Sequence, residues 1–135
     1  DQKGLPPNNL LNYGYAILRA VVARALVSSG LLPVYGIHHH NRYDPYCLAD
    51  DIMEPYRPYV DMQVLDIMNR HDEILEDLNT NIKRELLSIP VVDVVIGGKK
   101  RPLMIAVSET TSSLAKCFAG EQRKISYPTI NTGKR

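Results

Sequence analysis

The stretch Gly36–Asp61, GIHHHNRYDPYCLADDIMEPYRPYVD, sets the interpretation of the whole chain. It contains three histidines, five acidic residues and two arginines. An ordinary core element cannot hold so many ionisable groups, because a charge removed from water has to be paired or bound to a metal. The composition therefore indicates a metal or phosphate site built from one turn and one short helix.

The second half of this stretch, Cys47–Glu54, is predicted to form a helix. At about 100° per residue, Leu48 and Ile52 share one face. Three carboxylates crowd the opposite face, those of Asp50, Asp51 and Glu54. Like charges one turn apart destabilise a helix by about 0.2–0.5 kcal/mol per pair, so the cluster is costly unless a cation or water solvates it. Pro55 ends or kinks the helix and holds Glu54 at the break.

The histidine run precedes this helix across a polar turn, Asn41–Pro45, which could fold the histidines back beside the acids. Imidazole with carboxylate suits manganese or magnesium where carboxylate dominates and zinc where histidine dominates. The residues alone leave a plainer alternative open. Acids near a helix start are favoured by the helix dipole, and histidines in a turn can simply be solvated.

Length and charge bound the class of protein. A chain of 135 residues forms one domain, or part of one, with enough apolar content to bury a core, and we expect a soluble globular fold. The net charge is only +1, but residues 1–79 are rich in acids whereas residues 80–135 are rich in lysine and arginine. The C-terminal part is therefore the part that should attract anions.

Cysteine usage and hydropathy exclude two further classes. Cys47 and Cys117 have no paired spacing, which argues against a disulfide framework or a structural zinc knuckle and favours reduced thiols. The most apolar stretch, Leu10–Leu32, is interrupted by Arg19 and Arg24. Each arginine costs about 2.5–3.5 kcal/mol at a bilayer centre, so no membrane span is expected. The two arginines either reach solvent or point at an acid or anion.

Periodicity predicts a multi-helix, all-α fold with at most a minor two-stranded hairpin, formed by residues 1–135 as one domain. Helix one should start with Asn8 or Asn9 as its cap and stop at Gly30. A later amphipathic run should end near residues 69–72. Its inward apolar residues should be Tyr59, Met62, Leu65, Ile67 and Met68. A short helix, Thr80–Ser88, should use Thr80 as cap and Leu86-Leu87 as core contacts.

The C-terminal part combines one strand with one long helix. Val91–Ile96 is the only convincing strand pattern, and Gly97-Gly98 then makes a turn into Lys99-Lys100-Arg101. The last helix should begin at Pro102, run to about Ala119 and stop at Gly120. Its inward residues should be Leu103, Ala106, Val107, Leu114 and Phe118.

Taken in order, three stretches resemble the family of CRISPR adaptation integrases. The first is PPNNLLNYGY (6–15), the second is Gly36–Asp61 with its pattern Leu-Ala-x-Asp-x-x-Glu-Pro-x-Arg-Pro, and the third runs from Arg101 to Phe118. The family's members are metal-dependent endonucleases that insert spacers into CRISPR arrays in antiviral defence. The resemblance is to the C-terminal, all-helical catalytic domain, in the branch found beside the single large RNA-guided nuclease.

The resemblance implies roles for single residues. The family's metal-binding histidine falls on His39, its downstream acidic ligand on Glu54, and an accessory acid near the metal on Asp51. His39 and Glu54 are thus the implied catalytic residues, with Mg²⁺ or Mn²⁺ as cofactor. Arg57 sits where it could pair with these acids or with a scissile phosphate. Basic side chains that could hold the DNA backbone are Lys99, Lys100, Arg101, Arg123 and Lys124, although a solvated basic surface is the alternative for each.

Three departures from the family pattern weaken the expected activity. The family's third ligand, a glutamate before the Pro6-Pro7 lead, is not among these residues, and neither is its N-terminal strand-rich domain. Two protein ligands hold magnesium or manganese only weakly, so we expect this chain alone to be a poor enzyme. Glu109 stands where a basic residue is expected and makes the last helix less attractive to phosphate.

The implied partners are double-stranded DNA, as protospacer and CRISPR repeat, a second copy joined through the N-terminal domain, and the small second CRISPR adaptation protein. The implied location is the bacterial cytoplasm. Two alternatives remain open from the residues. One is a non-catalytic helical module that binds DNA or assists assembly, and the other is a zinc protein that uses His38, His40 and Cys47.

Overall fold

The computed structural model describes residues 7–32, 45–71 and 79–130. Within these ranges the chain forms α1 (Asn8–Ser28), α2 (Pro45–Met53), α3 (Arg57–Arg70), α4 (Thr80–Leu86) and α5 (Leu103–Phe118). Two 3₁₀ turns, Glu54–Tyr56 and Ile89–Val91, precede α3 and the sheet respectively. The strands are β1 (Asp93–Ile96), β2 (Lys99–Pro102) and β3 (Pro128–Thr129). The predicted mostly helical fold is confirmed.

Helix α1 is the centre of the core, since it contacts all four other helices. Its apolar face is fully buried at Leu10, Leu18, Val22 and Leu26. The predicted stop is confirmed, because Gly30 has φ +76 and the N–H of Leu31 bonds back to the carbonyl of Leu26 at 2.9 Å. The predicted cap was wrong. Pro7 occupies the cap position without a side-chain hydrogen bond, and Asn9 lies buried inside the first turn.

By length and apolarity α1 is also a helix that could cross a bilayer, the one such helix among the described residues. The same properties mark the core helix of a folded domain. Leu18, Val22 and Leu26 are fully buried, and α1 contacts the neighbouring helices.

Helices α2 and α3 are separated by the 3₁₀ turn Glu54–Tyr56, where Pro55 and Pro58 interrupt the α-helical hydrogen bonds. The predicted break at Pro55 is confirmed. The inward face predicted for α3 was partly wrong, because Met62 and Leu65 are 50% and 59% exposed. The residues that α3 buries are instead Tyr59, Val60, Val64 and Ile67.

Helix α4 is capped by Asn79 and not by Thr80. The Asn79 side chain accepts a hydrogen bond from the N–H of Ile82 at 2.9 Å, which satisfies a free donor of the first turn. Leu86 is buried as predicted, but Leu87 is 58% exposed. The helix ends before the turn that contains Pro90, in agreement with the prediction.

The sheet has the order β2-β1-β3, with both pairs antiparallel. Gly97 and Gly98, at φ +61 and +75, form the two-residue connection from β1 to β2, a turn that requires positive φ at both positions. The hairpin is therefore as predicted, although β1 begins at Asp93 and not at Val91. The third strand was not expected, because two residues of β3 carry no sequence pattern of their own.

Helix α5 begins at Leu103 and ends before Gly120, whose φ is +77. Leu103, Ala106, Val107 and Leu114 are buried as predicted, whereas Phe118 is 49% exposed, which corrects its assignment to the core. The buried face of α5 also carries hydroxyls. The Ser113 hydroxyl accepts a hydrogen bond from the N–H of Ser126 at 2.8 Å and so fastens the C-terminal segment to the helix.

Candidate functional site

The break between α2 and α3 presents two carboxylates to solvent. Asp51 lies in the last turn of α2, Glu54 is the first residue of the following 3₁₀ turn, and both are exposed. Their spacing of three residues puts them on one face. Ile52 and Met53, between them in sequence, are buried at 2% and 0% exposure and anchor the segment. The two carboxylates are therefore carried on a firmly packed element.

Two arginines relieve the predicted crowding of three acids. Arg19 of α1 approaches Asp50 with 2.9 Å between Nη1 and Oδ1, so this arginine points at an acid while its side chain stays half exposed. Arg57 approaches Glu54 with 3.2 Å between Nε and Oε2. Asp51 forms no ion pair with any other described residue. Exposed pairs of this kind contribute only about 0–1 kcal/mol each, so Glu54 remains available to other cations.

The guanidinium of Arg57 is held by an aromatic ring as well as by charge. Its Cζ lies 5.0 Å from the centroid of the Tyr15 ring, within the range of a cation–π contact. Its Nε is buried and has no aligned hydrogen bond, although Glu54 is close. The contact with Glu54 is thus an electrostatic pair without hydrogen-bond geometry.

Tyr15 also bonds to the next turn of α3. Its hydroxyl donates a short hydrogen bond to Oδ1 of Asp61. Burial is the largest cause that raises the pKa of Tyr15 to about 12, followed by this hydrogen bond and by the negative charge of Asp61, while Arg57 acts in the opposite direction. The hydroxyl is therefore protonated at neutral pH and can donate this hydrogen bond. Sequence reasoning treated Tyr15 only as an apolar residue, because no local pattern links it to a residue 46 positions away.

Of the predicted ligands, the structure describes Asp51 and Glu54, which are both exposed and lie three residues apart in sequence. His39 lies outside the described residues, as do His38, His40 and the side chain of Cys47, so neither the histidine ligand nor the zinc alternative is tested. Within the described ranges no three His, Cys, Asp or Glu residues are arranged to hold a metal ion. Cys117 is a half-buried free thiol. The oxygen donors of Asp51 and Glu54 fit magnesium or manganese, which prefer carboxylate and water ligands.

The predicted DNA-contacting residues fall into two groups at the sheet. Lys99 and Lys100 are exposed on β2 and form no ion pair with described residues, whereas Arg101 lies 3.4 Å from Glu109 between Nε and Oε2. Arg123 and Lys124 are exposed ahead of β3. Because β1 separates β2 from β3, the two groups belong to opposite edges of the sheet.

The β3 edge adjoins the break. Strand β3 contacts the 3₁₀ turn that contains Glu54. The Tyr59 hydroxyl donates a short hydrogen bond to the carbonyl of Thr129 and accepts one from the N–H of Val95 at 3.3 Å. Tyr56, in the 3₁₀ turn itself, is fully buried and bonded to the Thr110 hydroxyl at 2.7 Å. The turn is thus fixed from α5 and from the sheet.

A separate cluster of ionisable groups joins α3 to α4. Glu85 lies 2.5 Å from Arg70 (Nη2 to Oε1) and 3.1 Å from His71 (Nε2 to Oε2). Burial opposes ionisation of Glu85, but its hydrogen bond with His71 and the positive charge of Arg70 outweigh burial and lower its pKa. The cluster is structural, because it joins the end of α3 to α4 at a point remote in sequence from the break.

Comparison with known proteins identifies the family of this chain. The family model described as CRISPR associated protein Cas1 matches residues 5–93, which include α1, the break and α3. A protein named CRISPR-associated endonuclease Cas1 from Neisseria meningitidis serogroup C (strain 8013) is 35% identical over 106 residues, 78% of this chain and 34% of that protein. One named CRISPR-associated endonuclease Cas1 1 from Francisella tularensis subsp. novicida (strain U112) is 30% identical over 124 residues, 89% of this chain and 39% of its own length.

A third relative, CRISPR-associated endonuclease Cas1 2 from Pyrobaculum aerophilum, is 33% identical over 119 residues, which are 87% of this chain and 40% of that protein. The matched parts thus span between 34% and 40% of the length of these three relatives. The family match contains both exposed carboxylates of the break and the arginine beside them. Because that match extends over well more than half of the sequence, this chain belongs to the Cas1 family of CRISPR-associated proteins.

Proposed function

We propose that residues 1–135 form the C-terminal, helical catalytic domain of a metal-dependent DNA endonuclease and integrase that inserts spacers into CRISPR arrays. The observation that carries this proposal is the pair Asp51 and Glu54, which lie exposed on one face of a rigid helix break inside the family match. The names of the relatives, which are called endonucleases, support the reaction class. The branch beside the single large RNA-guided nuclease is the one we propose for this chain.

The residues that would hold the metal are His39 and Glu54, with Asp51 as an accessory ligand. Magnesium or manganese, when bound, stabilises the negative charge that phosphodiester cleavage and re-joining place on oxygen, and it lowers the pKa of the attacking hydroxyl group. Glu54 would orient its carboxylate from the break, and Asp51 would accept a hydrogen bond from a nearby water. A glutamate ahead of Pro6 would complete the ligand set, so we expect the 135 residues alone to cleave DNA weakly.

The DNA backbone would be held by charge. Lys99, Lys100, Arg123 and Lys124 are exposed and unpaired among the described residues, so each can approach a phosphate. Arg101 shares its charge with Glu109, and Arg57 shares its charge with Glu54, so both would contribute less. These contacts position the duplex and do not read its sequence.

The proposed partners are double-stranded DNA (protospacer and CRISPR repeat), a second copy joined through an N-terminal strand-rich domain, and the small second CRISPR adaptation protein. The proposed location is the bacterial cytoplasm, and the biological role is antiviral defence. Membership of the Cas1 family supports these proposals.

The test is nicking of branched DNA by the full-length protein in Mg²⁺ or Mn²⁺. Glu54→Ala and His39→Ala should each reduce nicking by about 10²-fold or more, because each removes an interaction that stabilises the transition state. Glu121→Ala, which changes an exposed glutamate after α5, is the matched control and should retain parental activity. Full nicking by both site variants, with folding retained by circular dichroism, would reject the catalytic assignment.

A second candidate function is a non-catalytic DNA-binding or assembly module. The unpaired exposed lysines of β2 favour it, since they can bind phosphate without any metal. Under this alternative, DNA binding by the chain is unchanged by chelators and by Glu54→Ala. A metal-dependent gain in DNA affinity that Glu54→Ala abolishes would exclude it.

A further inference from the structure

Tyr15 of α1 contacts two residues of α3 that lie one turn apart. Its ring lies under the guanidinium of Arg57, and its hydroxyl donates to Asp61. Arg57 in turn approaches Glu54 at the break. A side chain from a different helix thus connects, through Arg57, to the carboxylate that we propose as a metal ligand.

We propose that Tyr15 is a positioning residue that keeps Arg57 directed at Glu54. Its ring packs against the guanidinium, and its hydroxyl binds the carboxylate of Asp61, which would otherwise compete for Arg57. This inference deepens the proposed function and rests on it for the role of Glu54. The contacts themselves stand independently of the metal, because they join Tyr15, Arg57 and Asp61 within the described chain.

Asp61 is the natural competitor for Arg57, because it lies four residues further along the same helix. Its carboxylate is bonded instead to the Tyr15 hydroxyl. The pair of Glu54 with Arg57 has the acid on the N-terminal side, the orientation that suits the helix dipole, whereas Arg57 with Asp61 has the reverse order. The helix itself only weakly favours the pairing of Arg57 with Glu54 over its pairing with Asp61, and Tyr15 strengthens that preference.

The ring acts separately from the hydroxyl. Arg57 has a buried Nε without an aligned hydrogen bond, so its orientation is not set by hydrogen bonding to Glu54. The Tyr15 ring, 5.0 Å from Cζ, supplies the surface on which the guanidinium lies. Because the Glu54 side chain is still 66% exposed, Arg57 orients the carboxylate without burying it. Glu54 can then exchange this weak partner for a divalent cation.

The two parts of the proposal predict different effects for two variants. Tyr15→Phe keeps the ring but frees Asp61, so Arg57 should turn partly from Glu54 toward Asp61. Tyr15→Leu removes the ring as well, so the guanidinium should lose a fixed orientation. Tyr13→Phe, which removes the hydroxyl of a half-buried tyrosine two residues earlier in α1, is the matched control.

The experiment uses ¹⁵N NMR of the Arg57 Nε–Hε group in the 135-residue chain without metal, followed by a Mn²⁺ titration. Tyr15→Phe should shift the Arg57 signal and lower the Mn²⁺ dissociation constant by about threefold to fivefold, because the guanidinium then competes less with the cation for Glu54. Tyr13→Phe should change neither. The double variant Tyr15→Phe with Asp61→Asn should restore the Arg57 signal, because the competitor has lost its charge; a merely structural role for Tyr15 predicts no such rescue.

The failures are distinguishable. An Arg57 signal that is the same in Tyr15→Phe and in the parent overturns the positioning role, and so does a shifted signal that Asp61→Asn fails to restore. Failure of the proposed function gives a different result: Glu54→Gln leaves the Mn²⁺ dissociation constant at the parental value. Circular dichroism of each variant establishes that the helices are retained, and Tyr15→Phe changes only one oxygen atom.

Discussion

At Gly14, α1 approaches α3 and the turn Ile89–Val91 closely. A Cβ atom at this position would lie 2.8 Å from Cγ1 of Val60 and 3.3 Å from Cδ1 of Ile89. Val60 is fully buried in α3 and, as a β-branched residue in a helix, has one strongly preferred rotamer. The substitution Gly14→Ala therefore forces the helices apart or strains Val60.

The magnitude follows from two opposing effects. Overpacking of a core costs about 1–3 kcal/mol, whereas alanine in a helix interior is favoured over glycine by about 0.5–1 kcal/mol. Gly14→Ala should thus lower the free energy of unfolding by about 1 kcal/mol. Val60→Ala alone should cost about 2 kcal/mol through lost burial. In the Gly14→Ala background it should cost about 1–2 kcal/mol less, because the smaller side chain makes room for the new methyl group.

Urea denaturation of the four proteins, extrapolated linearly to water, measures the coupling. Ala20→Gly, at an exposed position of the same helix, calibrates the helix-propensity effect without a packing contribution. Two results together would refute the close approach of α1 to α3. Gly14→Ala would raise the free energy of unfolding by as much as Ala20→Gly lowers it, and Val60→Ala would lower that free energy equally in both backgrounds.

Two further predictions concern charge. Glu85→Gln should destabilise the chain at neutral pH, because the folded-state pKa of Glu85 lies below its ordinary value near 4.5 and its ionised form contributes stability above that value. The difference from the parent should shrink as the pH falls below 4.5 in urea titrations, with the exposed Glu121→Gln as control; a pH-independent difference contradicts the linkage. Lys99→Ala with Lys100→Ala should weaken DNA binding and reduce the slope of log affinity against log salt by up to about 2, since both lysines are unpaired. Lys83→Ala with Arg84→Ala, exposed on α4, should leave that slope nearly unchanged in the same fluorescence-anisotropy assay.

Helix ends were predictable wherever a single residue determines the backbone. Gly30 and Gly120 adopt positive φ after α1 and α5, and Gly97-Gly98 does so in the hairpin. Pro55 likewise breaks the helix, because proline has no N–H to donate to the α-helical hydrogen-bond pattern. Such signals are local, so the chain alone contains them. The cap of α4 was misassigned by one residue because Asn79 and Thr80 are both good capping residues, and only the bond to Ile82 distinguishes them.

Burial was predicted less well than helicity. Met62, Leu65, Leu87 and Phe118 are apolar at helical spacing, yet each is about half exposed or more. Periodicity gives the phase of an apolar stripe but not which part of that stripe a neighbouring element covers. Conversely, Thr110 and Thr111 are fully buried because Tyr56 and Ser29 supply hydrogen-bond partners from distant elements.

The candidate site divides in the same way. The sequence by itself determined that a helix break falls at Pro55 beside Glu54, because proline lacks the N–H that a helix needs. It also predicted that Asp50, Asp51 and Glu54 share a face, from helix geometry within one segment. Only the tertiary structure decided that Arg19 pairs with Asp50 and that Tyr15 lies between Arg57 and Asp61. Those contacts join α1 to α2 and α3, and the packing of helices onto a common core, not any local pattern, brings such distant residues together.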